Sequence, residues 1–207
     1  MSEPNVVAVV PAYKSNDQIL DVLRRMPTLI KTIIVVDDQC PNGTGRLVQE
    51  TKPDSRVEVI FNDTNLGVGG AVIEGFKEAL KRNADIIVKI DSDGQMDPED
   101  IGTLIEPLIC GRADYAKGNR FNSLDDLQEM PKSRVFGNAA LSLMSKLSTG
   151  YWSITDPPNG FVAITRAALE RIHLGKLRRR WFFESDLLFR LSIIRAVVAD
   201  VPIRARY

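Results

Sequence analysis

Short runs of almost unbroken β-branched residues recur along this chain, and each is followed by a segment with a different apolar rhythm. The runs are "VVAVVP" (6–11), "TIIVVDD" (32–38), "RVEVIF" (56–61) and "DIIVKID" (85–91). Between them the apolar residues return every three or four positions. Residues 16–26 carry Ile19, Leu20, Leu23 and Met26 on one helical face, 44–51 make a short helix, and 69–82 carry Val72, Ile73, Phe76 and Leu80. A strand that is apolar on both sides must be covered on both sides. Such strands alternating with helices therefore predict an α/β fold, with a mostly parallel central sheet and helices on both faces.

The pattern continues with a helix over 98–109 and a strand over 113–118, then loosens. Residues 133–148, 166–173 and 184–195 read as helical, and 161–165 and 197–203 as strands. No repeat, low-complexity tract or linker interrupts the 207 residues, a length that suits one sizeable domain spanning 1–207.

Lys+Arg and Asp+Glu are both 27, so the net charge is zero and a general nucleic-acid binder is disfavoured. Cys40 and Cys110 lack metal-ligand spacing and fit a reduced, cytoplasmic protein better than a disulfide scaffold. Each is expected to act as a small hydrophobe. No signal peptide is visible. The longest apolar window, "LLFRLSIIRAVVADV", is broken by Arg190, Arg195 and Asp200, so it is no membrane span. The chain stops at "VPIRARY" without a polar tail, an ending that a longer protein running on into a membrane segment would also give.

Polar residues collect at the carboxyl ends of the first four strands: Tyr13 and Lys14, Asp37 and Asp38, Asn62 to Asn65, and Asp91 with Asp93. Open sheets of this kind bind ligands at that end. Two aspartates one residue apart repel each other, with Lys89 the only basic residue nearby. They suit a hard divalent cation, Mg²⁺ or Mn²⁺, that is completed by phosphate oxygens and water. Asp97 before Pro98 reads instead as a helix N-cap.

The blocks "VVPAYKS", "IIVVDDQCPNGT", "NLGVGGAVIEGF", "IVKIDSDGQMDPEDI", "AKGNRF", "DPPNGFVAI" and "FFESDLLFRL" occur in that order over about residues 5 to 204. In this series the chain resembles family 2 glycosyltransferases of the GT-A, Rossmann-like fold. It looks most like the branch of dolichyl-phosphate mannose synthase and the bacterial polyprenyl-phosphate glycosyltransferases. The resemblance implies that Pro11, Ala12 and Tyr13 lie along the base and ribose of a UDP- or GDP-sugar, and that Asp38 hydrogen-bonds one of them. It implies that Asn65, Gly67 and Gly70 form a turn letting the backbone approach the nucleotide. Asp91 and Asp93, with Gln95, would hold the cation against the donor diphosphate, which gives Asp93 a catalytic part. Asp186 takes the place of the family's late acidic residue. Two departures bear on base and sugar specificity: Lys14-Ser15 replaces Asn-Glu after "PAY", and "DDQCPN" replaces "DDGSxD".

The implied reaction is an inverting displacement at the anomeric carbon. A hydroxyl acceptor needs a general base, for which Asp186 and Asp156 are candidates. A polyprenyl phosphate is already ionised and needs only cations, for which Arg120, Arg134 and Arg204 are candidates. His173, the only histidine, reads as a helix-end surface residue. "LRRRWFF" (177–183) reads either as a loop packing its aromatics inward or as a segment resting on anionic lipid, at the cytoplasmic face of a membrane. Transfer to a sugar hydroxyl and an idle nucleotide-binding domain remain as alternatives. A dehydrogenase lacks its G-x-G-x-x-G after the first strand, and "PAYKSND" lacks the Gly-rich basic loop of a nucleotidyltransferase.

Overall fold

A computed structural model describes residues 3–120 and 142–204. The expected alternation is present as β1 (Val6–Ala12), α1 (Ile19–Arg24), β2 (Ile30–Asp37), α2 (Thr44–Thr51), β3 (Val57–Phe61), α3 (Val68–Lys81), β4 (Ile86–Lys89) and α4 (Ile101–Ile109). A single 3₁₀ turn, Pro98–Asp100, leads into α4, and the Asp97 side chain caps it by accepting from Glu99 N. After β5 (Tyr115–Asn119) come β6 (Val162–Thr165), α5 (Arg166–Glu170), α6 (Phe183–Ile193) and β7 (Val198–Pro202). Residues 142–149 are helical, and the rest of the helix expected over 133–148 lies outside the described residues.

Among the described residues seven strands form one sheet in the order β3-β2-β1-β4-β6-β5-β7. All neighbours run parallel except β6, which is antiparallel to both β4 and β5. The reason is in the connection. The chain leaves β5 at the sheet's carboxyl end and comes back into β6 from that same end, so β6 must run the other way.

Every residue of β1 is buried, and side-chain alternation divides it between two cores. Val6, Ala8 and Val10 join α1, α2 and α4 through Leu23, Val48 and Leu104. Val7 and Val9 join α3, α5 and α6 through Phe76, Leu169 and Leu187. Both faces are therefore covered, and burying each such aliphatic side chain contributes about 1.5–3 kcal/mol. The helix expected over 166–173 stops at Glu170, and its start is capped by Thr165, whose hydroxyl accepts from Ala168 N. His173 follows as an exposed residue. One sheet end thus gathers the carboxyl termini of β1 to β5 and β7 with the amino terminus of β6.

Candidate active site

Lys89 closes β4, and the two-residue period places it on the same side as Asp91. Its Nζ lies 2.7 Å from Asp91 Oδ1 and 3.3 Å from Glu184 Oε1 of α6. The residue is 1% exposed. Burial opposes its charge, but Asp91 and Glu184 outweigh burial and hold its pKa above the ordinary lysine value. The repulsion between Asp91 and Asp93 therefore has an internal counter-charge. Asp93 is exposed by surface area, yet desolvation first and the Asp91 charge second raise its carboxyl above the usual range. Its Oδ1 accepts from Gln95 N at 3.0 Å across a turn in which Gly94 has φ 75°. Between the two aspartates, Ser92 donates to Pro11 O and accepts from Ser15 Oγ, both at 2.8 Å, which ties the loop to the end of β1.

This donor set fits a divalent cation only in one way. Among the described residues no three His, Cys, Asp or Glu side chains cluster as a metal cage. Asp91 and Asp93, with the half-buried Gln95 beside them, supply two carboxylates and leave most positions to phosphate oxygens and water, the arrangement Mg²⁺ and Mn²⁺ accept.

Along the rest of the sheet end, Pro11 and Ala12 are buried, and Tyr13 is 45% exposed with the Lys14 ammonium 5.3 Å from its ring centre. Asp38 is 3% exposed and turned into the protein. Its Oδ1 accepts from Asn62 Nδ2 at 2.8 Å and Leu66 N at 2.9 Å, and its Oδ2 from Gly67 N at 2.8 Å. The carboxylate thus shapes the turn after β3, and Asn65 Nδ2 donates back to the Asp38 carbonyl at 3.1 Å. What fills the space beside that turn is protein. A Cβ on Gly67 would stand 2.7 Å from the Arg179 carbonyl, and Gly70 N donates to that carbonyl at 2.9 Å. These glycines admit the backbone of 178–180, a partner the sequence did not suggest.

The "DDQCPN" turn is held by hydrogen bonds to Asp37. Asp37 accepts from Cys40 N at 2.8 Å and Gly45 N at 2.6 Å. It borders a pocket of ≈ 540 Å³ lined also by Gln39, Phe61 and Asn62.

Both candidate bases are engaged. Asp156 is fully buried and takes Arg120 Nε at 2.7 Å on Oδ2 and Nη2 at 2.9 Å on Oδ1. Arg120 is therefore committed first to Asp156. Asp186, 8% exposed in the first turn of α6, accepts from Arg178 N at 2.9 Å and Arg190 Nε at 3.2 Å through Oδ2. Arg204 binds Asp100 through Nη2 at 2.7 Å and Nε at 3.0 Å while its side chain stays 65% exposed. Arg134 lies outside the described residues.

Three interior groups escaped sequence reading: Glu184, Lys117 and the Asn159–Gly160 pair. Lys117 of β5 is wholly buried, donates to Asn159 O at 2.6 Å, and is pushed down to about 8 by burial. Lys89 and Lys117 both pair with Val162 of β6, so two buried lysines flank one valine in a single row of the sheet. The signal that could have found them was in the text: a lysine inside each of two apolar runs, and a second acid in "FESD".

Residues 7–173 match the family described as "Glycosyl transferase family 2". The chain is 29% identical over its whole length to the UDP-N-acetylglucosamine–dolichyl-phosphate N-acetylglucosaminyltransferase of Methanococcus voltae, 88% of which is covered. It is 30% identical over 96% of its length to the undecaprenyl-phosphate mannosyltransferase of Micrococcus luteus, 82% of which is covered. Among solved structures, glucosyl-3-phosphoglycerate synthase from Mycobacterium tuberculosis, crystallised with Mn²⁺, UDP and phosphoglyceric acid, superposes with TM-score 0.75 at 20% identity. That match covers 99% of this chain and 71% of that one. At that identity the likeness carries the fold, which is GT-A. The family match over most of the length and the relatives named above agree, and the chain belongs to glycosyltransferase family 2 and is a glycosyltransferase.

Proposed function

We propose that this protein transfers a sugar, with inversion, from a UDP- or GDP-sugar to a polyprenyl phosphate, with residues 1–207 as its catalytic domain. The observation that carries the reading is the pair Asp91 and Asp93 at the end of β4, in a chain whose relatives are named for dolichyl and undecaprenyl phosphate. Asp91, Asp93 and Gln95 would hold Mg²⁺ or Mn²⁺ there. When bound, the cation supplies positive charge where the leaving diphosphate gathers negative charge. Pro11, Ala12 and Tyr13 border the nucleotide, and Asp38, Asn65, Gly67 and Gly70 act on it by fixing the turn after β3.

A lipid phosphate brings its own ionised nucleophile. That supports this acceptor over a sugar hydroxyl, because Asp156 and Asp186 are both held in ion pairs. Arg120, Arg134 and Arg204 are the cations proposed for the acceptor phosphate, Arg120 through the rim it forms with Asp156. Among the described residues no helix is long and apolar enough to cross a membrane. Contact with a cytoplasmic membrane face is proposed instead through Arg178, Arg179, Arg180 and Trp181.

The test is to incubate the protein with Mn²⁺, a panel of UDP- and GDP-sugars and a polyprenyl phosphate, and to look for a charged, acid-labile glycolipid. Its formation is expected. Sugar transfer to hydroxyl acceptors with no lipid product would replace the reading by the polysaccharide one.

A further inference from the structure

An ammonium group buried at the end of an interior strand is costly, and its partners say what it is for. Lys89 has two, Asp91 at 2.7 Å and Glu184 at 3.3 Å, and the first is a proposed cation ligand. The pair is also fitted sterically. A Cβ on Gly160 would come within 2.2 Å of Lys89 Nζ and 2.3 Å of Asp91 Oδ2, so the bare backbone of Gly160 presses on both groups. The loop that carries Gly160 is clamped in turn: Lys117 donates to Asn159 O at 2.6 Å, Asn159 Nδ2 donates to Gly118 O at 2.8 Å, and Phe161 N donates to Asn159 Oδ1 at 2.9 Å. A core ion pair kept only for stability would need no such wall, and an apolar pair of equal volume would serve stability as well or better.

We infer that Lys89 is a positioning residue for the transfer reaction. It fixes the Asp91 carboxylate through one oxygen, is itself fixed by Glu184, and is closed in by Gly160. Glu184 then acts on the reaction only through Lys89, and it is Glu184 rather than Asp186 that communicates with the strand end. The inference rests on the proposed cation site and adds to it the residues that give one of its two ligands a single orientation.

The experiment measures Mn²⁺ binding by electron paramagnetic resonance, with UDP present, for the parent and three variants, and thermal melts for all four. In Lys89→Met the orienting charge is gone, and Mn²⁺ affinity is expected to fall about 10- to 100-fold, the usual effect of losing a partner behind a metal ligand. Gly160→Ala keeps every charge and only displaces the pair, and is expected to show a fall of the same order. The double variant Lys89→Met/Glu184→Met removes both halves of the buried pair, so neither is left facing an empty place, although Lys117 loses the Glu184 charge. It is expected to melt above Lys89→Met and still bind Mn²⁺ weakly. Half-saturation by Mn²⁺ in turnover should rise in step, with kcat recovering at high Mn²⁺.

If the parent binds Mn²⁺ and Lys89→Met or the double variant binds it as tightly, the inference fails while the cation site stands. A parent that binds no Mn²⁺ overturns the cation reading and this inference together.

Discussion

Arg120 and Asp156 meet as a two-pronged pair, Nε to Oδ2 at 2.7 Å and Nη2 to Oδ1 at 2.9 Å, with Asp156 wholly out of solvent. Arg120 follows the last residue of β5 and Asp156 opens the loop leading into β6, so the buried pair joins the two ends of the connection between these strands.

Asp156→Ala would therefore remove the carboxylate that Arg120 Nε and Nη2 meet in the interior. A loss of about 3–5 kcal/mol in unfolding free energy is expected, since breaking one half of a buried pair costs more than removing both. Urea denaturation of Asp156→Ala beside Arg120→Met/Asp156→Leu reads this directly. The double variant should recover most of the loss. A single variant as stable as the parent would contradict the pairing.

The strand-end carboxylates make a second, independent claim. Asp91→Asn and Asp93→Asn keep shape and hydrogen-bonding capacity but halve the charge offered to a cation. Each is expected to lower sugar transfer by about 100-fold or more, the size seen when one electrostatic stabiliser of a transition state is removed. EDTA should abolish turnover in the parent and excess Mn²⁺ should restore it. Undiminished rates in EDTA would remove metal from the mechanism.

Much of the fold was legible because it rests on periodicity. The apolar runs over 6–11 and 32–38 became β1 and β2 with bounds displaced by a residue or two, and Val72, Ile73 and Phe76 do face one core. The reversal of β6 was not legible, since "FVAI" has the same composition in either direction and only the return path of the chain sets it. Site residues divided on a similar line. Asp91 and Asp93 were singled out from neighbours in sequence alone. The partners of Asp38 lie 24, 28 and 29 residues away and that of Asp156 lies 36 away, where pattern gives no warning that a carboxylate is already engaged. Asp186 has one such partner 8 residues away and a second, Arg190, at the helical spacing of four that pattern does show. The glycines of "NLGVGG" illustrate the limit: their smallness was visible, but whether ligand or Arg179 backbone filled the space was not.

Lys117 gives the protein a measurable alkaline signature. Burial lowers its folded-state pKa from 10.5 to about 8, against the raising effect of Glu184 and Asp156. Between those two values the unfolded chain holds more protons than the folded one, so this residue makes stability rise with pH across that window. Below about 8 both states are protonated and the full penalty applies, of the order of 3 kcal/mol at 1.36 kcal/mol per unit. Lys117→Met loses the bond to Asn159 O at every pH but escapes the penalty. Relative to the parent it should therefore look better at pH 7 than at pH 10 in urea unfolding. An equal difference at the two pH values would show that the amine is not held in a charge-penalising environment.

The segment from Arg178 to Phe182 offers the last test. Its backbone is pinned, with Arg178 N on Asp186 and the Arg179 carbonyl on Gly70 N, and Phe183 takes the inward place against Phe76 with ring centres 6.3 Å apart. The side chains before it are left outside: all three arginines are exposed, Trp181 is 92% exposed and Phe182 63%. A rigid ledge of cations and aromatics beside the turn after β3 would attract anionic lipid at about 1 kcal/mol per arginine, and salt would weaken it. Replacing Arg178, Arg179 and Arg180 with Ser is expected to cut co-sedimentation with phosphatidylglycerol vesicles by about 100-fold in partition coefficient at low salt, from those three contributions together. Binding to neutral phosphatidylcholine vesicles should stay weak and unchanged. Trp181→Ala should lower binding to both vesicle types by a smaller factor. Parent and triple variant sedimenting alike with the anionic vesicles would leave these residues without a membrane role, and would place the lipid acceptor's approach on another part of the surface.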